Sequence, residues 1–221
     1  MKAEQRKKLE RNELADRLSR WWQGSDGGKS SSVLWLSVGV AVLVLILIVA
    51  WRYYREVAAK NRAAAWKQLE LAASASDLEA IIEAHRGTAV ARMAKAQLAR
   101  LLLNEGLNQL GSDLQRSKAI ENVERARDLY RELAEDARDD DLIRREALLA
   151  AGKAEESLVG VPGSGGATRG SLDTALEWYE KAASQFPDSP EGRAAAERAK
   201  AIRENRDKIK LFYEAVSYTH L

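Results

Sequence analysis

The stretch Leu172–Ala199, LDTALEWYEKAASQFPDSPEGRAAAERA, reads as two helices broken at one place. Ala175, Tyr179 and Ala182 recur at helical spacing, and Pro187 closes the segment, because proline lacks the amide that the next turn needs. Small Ala175 and Ala182 let neighbouring helices approach, and Tyr179 fills the gap between successive helix pairs. Helices at 171–186, capped by Ser171, and at 189–213 follow from this reading.

Outward from there, the chain from Arg52 onward is rich in alanine, leucine, glutamate, lysine and arginine, and its 3 prolines all come late. No segment has the period-two alternation of a strand. Further helices are predicted at about 52–74, 77–86, 88–109, 114–137 and 140–159. Asp77 and Thr88 are placed to cap the second and third, and Gly87, Gly106, Gly111 and Gly160 are expected where helices end or turn. Short joins between successive antiparallel helices predict an all-α fold, a short solenoid of helix hairpins, with internal similarity at a period in the thirties to forties. The fourth helix repeats the theme with Ala126, Tyr130 and Leu133. Leu98, Ala99, Leu102, Leu103 and Gly106, and again Leu148, Ala151 and Gly152, carry the large-small alternation of opening helices.

Before this domain lies Val33–Trp51, VLWLSVGVAVLVLILIVAW, an uncharged run in a chain that is 31% charged. At about 1.5 Å per residue it covers roughly the 30 Å of a bilayer interior, and its apolar side chains surround the helix instead of forming one face. Trp21, Trp22 and Trp35 stand towards one end and Trp51, Tyr53 and Tyr54 at the other, with Arg52 and Arg55 anchoring the exit. A secretory signal peptide fits less well: its apolar region spans about 7–15 residues, and cleavage after Ala50 would put Ile48 where a small residue belongs. The run is therefore expected to be an uncleaved transmembrane helix (33–51) that continues through Arg52 into the helical domain (52–213). Ser37 and Ala41 form a small-xxx-small pair of the kind that packs two such helices, a pattern also common by chance.

Residues 1–32 read as a basic cytoplasmic tail ending in a Gly/Ser linker. Lys2, Arg6, Lys7, Lys8, Arg11, Arg17, Arg20 and Lys29 precede the span, against Arg52, Arg55, Lys60, Arg62 and Lys67 just after it. That bias favours a cytoplasmic N-terminus and an exported C-terminal domain; the reverse arrangement stays open. Leu14, Leu18, Trp21 and Trp22 share one side of a helix among basic residues, which suits either the surface of an anionic leaflet or a partly helical solvated tail.

The order Ala175, Tyr179, Ala182, Pro187 resembles the second helix of a tetratricopeptide repeat, and DSPEGRAAAERA is similar to the opening of another. With its single span, the chain resembles a bacterial family of single-span, membrane-anchored tetratricopeptide-repeat-like proteins. That family includes the ancillary subunit of the Sec translocon and the repeat domains of Tol-Pal coordinator proteins. The opening MKAEQRKKLERNELADRL looks like their short cytoplasmic leader. The resemblance implies an inner-membrane protein whose periplasmic repeats bind other proteins, assisting secretion or envelope assembly. It also implies a concave groove made by the first helix of each hairpin, lined by Ala96, Arg100 and Leu103 and then by Glu146, Leu149, Lys153 and Glu156. About eleven residues between Gly152 and Ala175 exceed the compact repeat.

Other chemistries are excluded or outweighed. A balance of 35 basic and 33 acidic side chains gives a net charge of +2 and argues against nucleic acid as a partner. With 0 cysteines there are no disulfides, thiolate metal sites or cysteine nucleophiles. Gly28, Lys29 and Ser30 mimic the end of a phosphate loop, but Gln23 stands where its first glycine belongs and no strand precedes it. Gly160–Gly170, GVPGSGGATRG, lacks dinucleotide-binding spacing and is expected to be a mobile loop. The 2 histidines, His85 and His220, are far apart, and His85 reads as a helix-end residue. In EDARDDD, Glu135–Asp141, the spacing misses a calcium loop, and Asp140 and Asp141 suit the start of the fifth helix. No catalytic, cofactor-binding or metal-ligating residue is assigned, and the expected role is non-enzymatic binding of other proteins. A self-associating envelope scaffold without a client groove, a homo-oligomer, is the alternative.

The chain ends VSYTHL, Val216–Leu221, which is the translation of one frame of a transposon end used in sequencing libraries. Adaptor read-through is expected there, with the natural protein diverging after about Ala215 in the frayed end at 214–221.

Overall fold

The computed structural model describes residues 31–163 and 168–218. The basic tail, the phosphate-loop mimic at 23–30 and His220 lie outside them. Seven helices follow in order among the described residues: α1 Ser31–Leu71, α2 Ala75–Ala84, α3 Ala89–Gln109, α4 Arg116–Asp136, α5 Asp141–Ser157, α6 Leu172–Gln185 and α7 Pro190–Tyr218. The all-α expectation holds: no strand forms among these residues, and one isolated bridge joins Pro162 and Thr168. The chain divides into two units, one up to Arg62 and one from Ala63.

The first unit is the bulk of α1. Helix runs without interruption through Trp51 and Arg52, as expected from a sequence with neither cap nor breaker there. Leu45, Ile46, Leu47 and Ile48 are about half exposed or more, and so is every large apolar side chain from Trp35 to Trp51, on all sides of the helix. Among the described residues this helix alone is long and apolar enough to cross a membrane.

In the second unit the helix starts are set by side-chain caps. The Ser74 hydroxyl accepts from the Asp77 amide at 3.2 Å, and Asp77 Oδ2 accepts from the Ser74 and Ala73 amides at 3.0 and 3.1 Å. Asp77 is therefore the third-residue partner of a capping box and not the cap itself, which corrects the sequence reading by one turn. Hydrogen bonding with the Ser74 side chain, most strongly, and from the Ala73 and Ser74 amides holds the Asp77 carboxyl below its ordinary value. Thr88, Asp140 and Ser171 cap α3, α5 and α6 through the amides of Ala91, Ile143 and Thr174, the first and last as expected. Gly87 (φ +74°) and Gly160 (φ +79°) turn the chain in the left-handed region that glycine tolerates.

Gly106, expected at a helix end, lies inside α3. A Cβ there would come 2.5 Å from Val123 Cγ2 and 2.9 Å from the Ala119 carbonyl oxygen of α4, so the glycine marks a close helix crossing. Each helix from α2 onward packs on its successor, and α3 also touches α5, as α5 touches α7. Those extra contacts place α5 against both α3 and α7. Between the helices the core is built from alanines such as Ala99, Ala126, Ala151 and Ala182 around the buried rings of Tyr130 and Tyr179. Alanine keeps the axes close, and each tyrosine fills volume that small residues leave open.

Two further features concern α7 and the preceding loop. The last helix bends at Asn205 (φ −127°, ψ 24°), whose side-chain Nδ2 donates to the Ala201 carbonyl at 3.2 Å. The ends of the glycine-rich loop are pinned: the Arg169 amide donates to Val161 O and its Nε to Pro162 O, each at 2.9 Å. Its Nη1 meets both oxygens of Glu124 at 2.9 Å. Residues 164–167 of this loop lie outside the description.

Candidate functional site

The residues expected to line a groove come from α3 and α5, two helices in contact. Arg100 and Glu146 meet across them: Nε donates to Oε1 at 3.0 Å, and Nη2 to Oε1 and Oε2 at 2.8 Å each. This two-pronged geometry matches the fork of the guanidinium to the carboxylate. Lys153 is exposed on α5, and Leu149 is half-buried against the core. Ala96 (2% exposed), Leu103 (6%) and Glu156 (5%) are buried. These three do not present themselves to a partner, because α3 and α5 are each covered from more than one side. A tetratricopeptide-like register carried over by spacing alone does not see that cover. Of the expected groove residues, the Arg100–Glu146 pair and Lys153 stay open to solvent.

One residue before Glu146, Arg145 reaches the other way. Its Nε lies 3.2 Å from Glu191 Oε2 of α7, an ion pair too bent to count as a hydrogen bond. Adjacent residues of a helix point about 100° apart, so Arg145 and Glu146 tie α5 to α7 and α3 respectively.

The same device recurs one end further along, with buried acids. Glu156 Oε2 accepts from the Tyr179 hydroxyl of α6 and from Arg198 Nε of α7, each at 2.9 Å. Its Oε1 takes Arg198 Nη2 and the Tyr213 hydroxyl, the latter at 3.2 Å. Glu155 points elsewhere: its Oε1 accepts from the Ser171 amide at 3.0 Å, and its Oε2 lies 3.6 Å from Arg127 of α4. Arg127 Nη1 in turn donates to the Arg169 carbonyl at 3.0 Å. A buried carboxylate is costly unless charged and hydrogen-bonding partners surround it, and here both oxygens of Glu156 are filled.

The titrations follow from that placement. Burial, then the Glu156 charge, pushes the Tyr179 hydroxyl far above its usual range. The same two causes push Tyr213 up to about 12. Hydrogen bonding to Glu156 raises Arg198 against the opposing effect of burial. Burial and the nearby Glu146 raise Tyr130 likewise. The arrangement binds three helices together and keeps these tyrosines neutral and Arg198 charged at neutral pH.

Sequence reasoning missed this cluster. Glu155 and Glu156 stand in the alanine-rich AAGKAEES, a hint that a helix with no wide polar face buries its acids. Arg198 and Tyr213, 42 and 57 residues away from Glu156, give no local signal of the pairing. Elsewhere, His85 is the C-terminal cap residue of α2, and its Nε2 lies 3.1 Å from Gln68 Oε1. Of EDARDDD, Asp136 pairs with Lys95 at 3.4 Å, Asp139 with Arg92 at 3.5 Å, and Asp140 caps α5. Burial lowers the Lys95 ammonium, but hydrogen bonds and charges from Glu132 and Asp136 outweigh it and leave it raised. Among the described residues no group of histidine, aspartate and glutamate has the makings of a metal site.

No protein-family model matches this chain, and neither does any curated protein or solved structure. The functional reading therefore rests on the residues and their placement.

Proposed function

We propose that this chain is a membrane-anchored, tetratricopeptide-like interaction module that binds other proteins and catalyses nothing. The observation that carries the reading is the run Trp35–Trp51, exposed on every side of a helix that continues as far as Leu71. An uncovered apolar surface of that length demands lipid. Contacts of α3 with α5 and of α5 with α7, added to those between successive helices, support a solenoid-like layer able to carry a partner.

In this reading the span sits in a bacterial inner membrane with the N-terminus cytoplasmic and the helical domain periplasmic. Partners are secretion or envelope-assembly components, and they dock on the α3–α5–α7 layer around Arg100, Glu146 and Lys153. Cleavage of the C-terminal domain by added protease in spheroplasts but not in intact cells is the expected topology. Protection in spheroplasts would reverse it. Cross-linking in membranes followed by mass spectrometry tests the partner: links to secretion or envelope proteins through Lys153 support the module. Recovery of self-links alone would replace it with the self-associating scaffold.

A further inference from the structure

The segment just beyond the apolar run carries charge on one side only. Between Arg52 and Arg62 stand four cations, Arg52, Arg55, Lys60 and Arg62, and a single acid, Glu56. Glu56 is taken by Lys60 at 2.9 Å. At about 100° per residue, Trp51, Arg62, Arg55 and Arg52 fall within an arc of about 100°, while the Glu56–Lys60 pair falls outside it. The side chains of these three arginines are exposed. Arg55 lies over the Trp51 ring at 4.8 Å from its centroid, which holds the guanidinium at the end of the apolar run.

Position along the axis decides what such a face meets. Arg52 and Arg55 stand roughly 1.5 and 6 Å past Trp51, and Arg62 about 16 Å past it. Side chains of a helix tilt towards its N-terminus, here back towards the apolar run, and arginine stems are long enough to follow. Exposed Tyr53 and Tyr54 take up other directions at the same level, the level aromatic rings favour at a membrane surface.

We propose that the face formed by Arg52, Arg55 and Arg62 with Trp51 binds the headgroups of anionic phospholipids in the leaflet where α1 leaves the membrane. The inference rests on the reading that α1 spans the bilayer. Arginine presents a planar fork to headgroup phosphate, and two or three forks on one arc favour lipids that bring a net negative charge. Arg62, further out, acts through the field within a Debye length of about 10 Å at 0.1 M salt.

The test is lipid selection by the full chain reconstituted in phosphatidylcholine vesicles, read from the motionally restricted fraction of spin-labelled phosphatidylglycerol against spin-labelled phosphatidylcholine. The wild-type chain is expected to prefer phosphatidylglycerol. The R52Q/R55Q/R62Q variant should lower the preference by at least about threefold, given an attraction that can reach roughly fivefold per arginine before screening. R52K/R55K/R62K should retain most of it, and Lys60→Gln should leave it unchanged. Unchanged preference in the triple glutamine variant would overturn the assignment and place selection elsewhere, and so would an equal loss in Lys60→Gln. Flotation separates the two levels of the claim: a chain that floats with the vesicles but shows no preference sinks lipid selection alone, and one that does not float sinks the anchor as well.

Discussion

Tyr179 donates its hydroxyl to Glu156 at 2.9 Å while its ring occupies the space in which a Cβ on Gly152 would stand, 2.7 Å from Cε1. One aromatic side chain thus reads two positions of α5, one turn apart, by two different forces. The glycine gives it room, and the carboxylate gives it a partner.

Gly152→Ala should destabilise the helical domain. Helix propensity favours alanine by about 1 kcal/mol, but displacing a buried ring costs about 1–3 kcal/mol, so the steric effect wins. Gly111→Ala, where nothing lies within 4 Å, serves as the control. Urea unfolding followed by circular dichroism should show a lower midpoint for the first substitution only.

Glu156→Gln removes the charge that Arg198 and two tyrosines share. Arg198 keeps 43% of its side chain in solvent and recovers part of its hydration, so the expected loss is about 2 kcal/mol, below the 3–5 kcal/mol of a fully buried pair. An unchanged unfolding free energy would show that the cluster adds nothing net.

Alkaline pH should weaken the same cluster through Tyr213. Its folded value, raised to about 12 from an ordinary 10, means that the neutral hydroxyl is favoured by folding. The stabilisation is fully present below pH 10 and is lost as pH rises to about 12. Tyr213→Phe should make that part of the stability profile less steep, leaving the share that Tyr179 and Tyr130 contribute, while costing about 1 kcal/mol at neutral pH.

Acid tests the other end of the domain. Asp77 is held below its ordinary value of 3.8, so its contribution is present above that pH and fades as pH falls through the lowered value. Ser74→Ala removes the largest cause of that shift and should cost about 1 kcal/mol at neutral pH. In that variant the acid limb of the unfolding curve should be shallower.

Arg100→Ala separates partner binding from folding. The pair with Glu146 is 51% and 31% exposed, so its removal should change stability by less than about 1 kcal/mol. Cross-links from Lys153 to partner proteins should nevertheless fall if this layer is the docking surface. Equal yields from both chains would move the interface elsewhere.

Helix content, helix boundaries and the uncovered apolar run were legible in the amino-acid order because each depends on neighbours in sequence. An uncharged run, a serine or threonine at a helix start and an alanine-tyrosine period are local signals, and most boundaries fall within a few residues of where those signals put them. Asp77 was misplaced by one turn because a capping box has two polar ends, and both look like caps when read alone. Gly106 and Gly152 look alike as helix-weakening residues, and only the approach of Val123 and Tyr179 explains them. The groove residues needed more still. Whether Ala96, Leu103 or Glu156 faces a partner depends on which helices cover α3 and α5, a matter of contacts between segments tens of residues apart. Residue order determined the helices and the uncharged apolar run; tertiary packing decided which charges meet inside, since a buried glutamate takes whatever donors the fold brings to it.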